Sequence, residues 1–247
     1  MTHIRHAVGA LERDLREIFG ARLQSLVVYG AHAHDETPHA DHAEGHGLRP
    51  RLVHTFAIVD RLTVDDLRAC VERVGRWHHD RLATPLLLGS HEFAESLDAF
   101  PLEYGAMISD HLLVSGTNPF DGLRIEPADL RRACEVQARS HLLHLREGYL
   151  ETRGHPDQVA ELIVQSAAPF AALLTSVARL QGVVTDDAGA VGRHAERTLE
   201  IPGGIITDVM KLADVTEIAS AEAVRIFPSY LDAVERLVTF VDRWRPA

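Results

Sequence analysis

Lysine is nearly missing from this chain. Lys211 stands alone among 25 basic residues, the rest of which are arginine. Coding bias in a GC-rich genome explains such a skew without a functional demand, because surface composition is loosely constrained. Basic residues are also outnumbered, 25 against 36 acidic ones, for a formal charge of −11. That balance excludes broad nucleic-acid binding, which rests on neutralising phosphates with Lys and Arg. Cysteine is scarce too: Cys70 and Cys134 lie in separate helical patterns without metal-ligand spacing. A disulfide framework is excluded, and a reduced, cytoplasmic protein is expected. No apolar run reaches the roughly 18–20 residues that cross a bilayer. No signal-peptide stretch follows Met1-Thr2-His3-Ile4-Arg5-His6, so no membrane association is expected. Gly9, Gly20, Gly45 and Gly47 form no dinucleotide fingerprint, and Gly203-Gly204 sits in no phosphate-loop pattern. Neither Ser140 nor Ser166 has a glycine elbow around it, which leaves nucleophilic hydrolysis without support.

What is present describes a folded protein: 46% hydrophobic and 25% charged residues over 247 positions. Sixteen histidines make the net charge sensitive to pH near neutrality. Ile4, Val8, Leu11, Leu15, Ile18 and Phe19 recur at helical spacing, and Gly20 stops that helix. Leu26-Val27-Val28-Tyr29-Gly30 reads as a buried strand, and Leu52 to Asp60 as a second. Thr63 caps a helix whose apolar set is Leu67, Cys70, Val71, Val74 and Trp77. Pro85 to Gly89 reads as a third strand, with Ser90 capping a brief helix holding Phe93 and Leu97. Leu102 to Val114 reads as a strand followed by a short helix or loop.

From Pro127 the period becomes purely helical. Leu130, Cys134, Ala138, Leu142, Leu145 and Tyr149 fall on one face. Gly154-His155-Pro156 ends that helix, and a second long one carries Val159 to Leu180, with Pro169 placed to kink it. Shorter helices are expected near 187–199 and 203–213, and a last one holds Tyr230 to Trp244. His141 and His144, three apart, are expected to share a side of the first long helix, as are Arg146 and Tyr149. The fold class is therefore α+β: a small mixed β-sheet with flanking helices over 1–122, then an all-α helical bundle over 123–247. The apolar faces of the helical half make self-association, as a symmetric dimer, the expectation.

Residues 31–50 read as a polar loop dense in His32, His34, His39, His42 and His46, with Asp35, Glu36, Asp41 and Glu44 among them. Imidazoles and carboxylates at this density suit Zn²⁺ or another transition metal, and His54 at the following strand is a further ligand candidate. The alternative is a solvated loop that binds metal loosely.

The first half resembles the nucleotidyltransferase superfamily of polymerase-β-like enzymes and kanamycin nucleotidyltransferase. An amphipathic helix leads to Leu26-Val27-Val28-Tyr29-Gly30-Ala31, then an acidic loop, then a strand ending Ala57-Ile58-Val59-Asp60. Phe100-Pro101-Leu102-Glu103-Tyr104 and Leu142 to Tyr149 look like a little-characterised bacterial subgroup. The likeness covers nearly the whole chain as an order of elements. It implies a strand ending in Gly-Ser, whose backbone approaches phosphate closely, and an Asp-x-Asp entering the next strand. Such carboxylates hold two Mg²⁺ ions that clamp a triphosphate.

The chain departs from that pattern where the chemistry sits. Ala31 replaces the serine, and the place of Asp-x-Asp falls on Leu52-Val53-His54. The leading reading is a nucleotidyltransferase-like protein with a degenerate metal site, binding a nucleotide or small ligand in an interdomain cleft. Tyr29, Gly30, Ala31 and Arg146 are its nucleotide-binding candidates. The second reading is an active, Mg²⁺-dependent transfer of a nucleotidyl group to a small hydroxyl acceptor, with Asp35, Glu36, Asp41, Glu103 and Asp110 as catalytic candidates. A transition-metal module built on the His-rich loop is the third.

Overall fold

A computed structural model describes residues 2–30, 52–185 and 187–245. Two compact units divide between Ile125 and Glu126. The N-terminal unit contains, in chain order, α1 (Thr2–Phe19), β1 (Leu23–Tyr29), β2 (His54–Val59), α2 (Val64–His79), β3 (Leu86–Gly89), α3 (Ser90–Ser96), α4 (Pro101–Ser109) and β4 (His111–Gly116). The sheet order is β3-β2-β1-β4. β1 runs antiparallel to both β2 and β4, while β2 and β3 are parallel.

Side chains alternate across a strand, so each strand feeds two cores. Leu26, Val28, Ala57 and Val59 meet Leu11 and Leu15 of α1 and Cys70 and Trp77 of α2 on one face. Val27, Phe56 and Ile58 meet Phe93, Tyr104, Met107 and Phe120 on the other. A sheet covered on both faces explains why β1 and β2 are nearly unbroken apolar runs in the sequence.

Four local expectations are corrected. The stretch from Leu102 to Val114 is helix before strand: Pro101 starts α4 at the first helical position, where a missing N–H costs nothing, and β4 follows. On α2, Leu67 and Val71 are exposed, while Asp66 is buried with Cys70 and Trp77. The face turns because Asp66 is fully engaged. It closes a capping box with Thr63 and takes a two-pronged pair from Arg22 at 2.6 and 2.8 Å. Together these hold its carboxyl well below the usual carboxylate range, with the Arg22 hydrogen bonds the largest cause. The cap of α3 is Gly89 rather than Ser90, with Glu92 accepting from the Gly89 N–H at 2.8 Å. The last helix begins at Ser220, a full stretch before Tyr230, and Trp244 is its C-cap.

The C-terminal unit is helical: α5 (Pro127–Glu151), α6 (Pro156–Leu180), α7 (Ala188–Thr198), α8 (Ile205–Lys211) and α9 (Ser220–Arg243). Gly204 in the left-handed region caps α8, as a helix start at Gly203-Gly204 requires. α6 packs against each of the other four helices and runs unbroken through Pro169. By length and composition it is apolar enough to cross a membrane, contrary to the sequence expectation; half of its apolar window is buried inside this unit. The apolarity is that of a core helix with a wide buried face, while Glu161, Gln165, Pro169 and Ala172 line an exposed stripe.

Candidate functional site

The sheet gathers polar groups at one end. β1 finishes at Tyr29, and its antiparallel register sets Tyr29 opposite His54 of β2 and opposite His111 of β4. His54, Tyr29 and His111 therefore form a row across three strands, on the face that carries Phe56 and Phe120. The Tyr29 and His54 rings stand 5.7 Å apart, and the His111 ring meets Phe120 edge-on at 4.8 Å. With strands spaced ~4.8 Å, the backbones that carry the two imidazoles lie roughly 10 Å apart across Tyr29. Burial raises the Tyr29 phenol above its ordinary range, so it stays a neutral donor at physiological pH.

Gly30 follows with φ 80°, a left-handed turn that L side chains resist. No described atom lies within 4 Å of where its Cβ would stand. Its N–H donates to the carbonyl of Asp110 at 3.1 Å, which ties the end of β1 to the junction of α4 and β4. Four candidates from the sequence thus meet here: Tyr29, Gly30, His54 and Asp110. His111 does not stand out in the sequence, where its stretch reads as helix or loop; only its register against Tyr29 places it.

The other candidates fall elsewhere. Glu103 sits exposed in the first turn of α4, about 10 Å along the helix from Asp110 at 1.5 Å per residue. Arg146 belongs to α5 in the helical unit, where it donates to Glu235 at 2.7 Å. Ala31, His32, His34, Asp35, Glu36, His39, Asp41, His42, Glu44 and His46 lie outside the described residues. Among the described residues, no group of three or more His, Cys, Asp or Glu could hold a metal ion. His141 and His144 do not share a side: His141 is buried against Tyr230, while His144 is exposed beside Glu147. Three residues leave a helix about 60° short of a full turn, enough to cross the edge of a buried face.

No protein-family model matches the chain, and no curated protein matches it. Among solved structures it is similar to spectinomycin adenyltransferase AAD(9) from Enterococcus faecialis, solved with ATP and spectinomycin. The TM-score is 0.59 at 8% sequence identity, over 94% of this chain and 98% of that one. The fold is accordingly nucleotidyltransferase-like: a small mixed sheet with flanking helices, followed by a helical region.

Proposed function

We propose that the chain is a nucleotidyltransferase-like protein that binds a nucleotide or another small ligand at the β1–β2–β4 sheet end, without efficient nucleotidyl transfer. One observation carries this reading: β2 is entered by Leu52, Val53 and His54, with no carboxylate among them. Mg²⁺ demands hard oxygen ligands in near-octahedral array, and imidazole is a poor substitute. The described residues at this end therefore do not fit a two-metal clamp.

What remains suits binding. His54 and His111 flank a neutral phenol on one face, His111 is braced by Phe120, and Gly30 keeps side-chain bulk off the strand end. Imidazole and phenol groups hydrogen-bond and stack on planar ligands. The likeness to an adenyltransferase solved with ATP and spectinomycin supports a nucleotide or small-molecule ligand. Two buried, unpaired thiols, Cys70 and Cys134, support a reducing, cytoplasmic setting.

A second reading, an active transferase, is favoured by the place of Asp110 beside Gly30. It needs carboxylates from Asp35, Glu36, Asp41 or Glu44 in addition. Pyrophosphate release from Mg·ATP and Mg·GTP, with a panel of hydroxyl acceptors, separates the two. The expected result is release no faster than without protein; sustained release that depends on a hydroxyl acceptor would establish transfer. At the binding level, His54→Ala is expected to weaken nucleotide affinity at least tenfold, about 1.4 kcal/mol. An unchanged affinity would remove the sheet end as the site.

A further inference from the structure

The helical unit carries a chain of polar groups through its apolar core. His141 of α5 is buried, and its Nε2 lies 2.8 Å from the hydroxyl of Tyr230 on α9. Tyr230 donates to Ser166 Oγ of α6 at 3.1 Å, and Ser166 donates to the Ile163 carbonyl at 3.0 Å. Each hydroxyl has one proton to give. The Ser166 proton goes to Ile163 and the Tyr230 proton to Ser166, so the Tyr230 oxygen accepts from His141. In its neutral form the imidazole is thereby fixed as the Nε2–H tautomer, with a lone pair on Nδ1. Phe170 of α6 stacks on the ring at 5.4 Å.

The groups that face this ring carry no negative charge to offset a cation. Tyr230 from α9 and, behind it, Ser166 from α6 are neutral, and both are already committed. Burial first, and then the like charge of His144 on its own helix, press the His141 pKa down to about 4; no carboxylate of α5, α6 or α9 acts on it.

We propose that the His141–Tyr230–Ser166 chain is an acid-sensitive lock on the helical unit. A proton on Nδ1 puts a cation on a buried ring whose hydrogen bond, through Nε2, runs to the neutral Tyr230 hydroxyl, and the α5–α6–α9 packing opens rather than hold it. The sign follows from the depressed folded value. The unfolded imidazole titrates near 6.5, so the contribution is complete above about pH 6.5 and is lost as the pH falls toward 4. Below that both states are protonated and nothing more is lost. Across the window the opening constant rises about 300-fold.

Amide hydrogen exchange on the full chain reads the opening helix by helix. Between pH 7.5 and 5.0, after correction for intrinsic rates, protection in α5, α6 and α9 is expected to fall about 30-fold. His141→Gln keeps a donor for Tyr230 but cannot ionise, and its protection should change less than about threefold over the same interval. An equal fall in both proteins, or no fall in the native one, overturns the proposal. If the variant does not fold, a proton NMR titration of the native chain decides. A His141 ring signal unmoved down to pH 5 supports the lock, and a midpoint near 6.5 overturns it.

Discussion

Gly116→Ala is expected to cost the N-terminal unit at least about 3 kcal/mol and to loosen β4 from β1. At φ 84° the backbone occupies the left-handed region, which an L side chain enters at a cost of roughly 1–2 kcal/mol. Space makes matters worse. A Cβ there would land on the carbonyl oxygen of Gln24, with Ser25 Cα 3.0 Å away. Both obstacles are backbone of β1, and neither can swing aside as a side-chain tip would. The same carbonyl accepts from Thr117 N at 3.1 Å, so retreat of Gln24 would break the ladder. The loss reaches the site, because β4 carries His111 and its junction with α4 carries Asp110. Gly75→Ala is the control: it lies within α2 with no described atom within 4 Å of its Cβ. That change should be neutral or stabilising by up to ~1 kcal/mol. Urea unfolding followed at Trp77, the tryptophan of this unit, reads both; an unshifted midpoint for Gly116→Ala contradicts the packing described.

Asp14→Ala is the second large effect, about 3 kcal/mol on the same unit. The Asp14 carboxylate is the polar joint between α1 and α2. It accepts from the indole N–H of fully buried Trp77 at 2.8 Å and pairs with Arg73 at 3.3 Å and with Arg76. Partial burial alone would raise its pKa; the hydrogen bonds of Trp77 and Arg76 and the charges of Arg76 and Arg73 outweigh that and hold it below the usual range. Alanine leaves a buried indole donor without an acceptor, and that desolvation is the main loss. Arg76 stays half in water, so its ion pair contributes little. Since the folded pKa is lowered, the contribution is present above the ordinary aspartate value and disappears as pH falls below it. The deficit of Asp14→Ala relative to the native chain should therefore shrink in acid. Glu17→Ala removes an exposed partner of Arg73 and should move stability by no more than ~0.5 kcal/mol. Equal effects of the two substitutions would contradict this division of labour.

These residues also mark where the sequence is legible. α1 can be read from Ile4, Val8, Leu11 and Leu15 alone, because an amphipathic helix against a sheet leaves its period in the chain. β1 and β2 can be read because both faces are buried. The face of α2 cannot. Apolar Leu67 and Val71 look like core and Asp66 like surface, and only Arg22, distant in sequence, reverses them by satisfying the carboxylate. His141 is hidden for the same reason, since its partners lie on two other helices. β4 is a strand by virtue of its pairing with β1, which local composition does not record, and His111 acquires its place from that register. Tyr29, Gly30 and His54 stand out in the sequence through the order of elements they share with nucleotidyltransferases. Their alignment with His111 in one row belongs to the folded sheet.

The sheet end is proposed to bind a nucleotide or small ligand without efficient transfer. Calorimetric titration of metal-stripped protein with Mg·ATP and Mg·GTP at pH 7.5, on native chain and His54→Ala in parallel, tests it most directly. Saturable binding at or below about 100 μM, roughly −5.5 kcal/mol, is expected, weakened at least tenfold in the variant. No heat with either nucleotide, or equal affinity in both proteins, would contradict it.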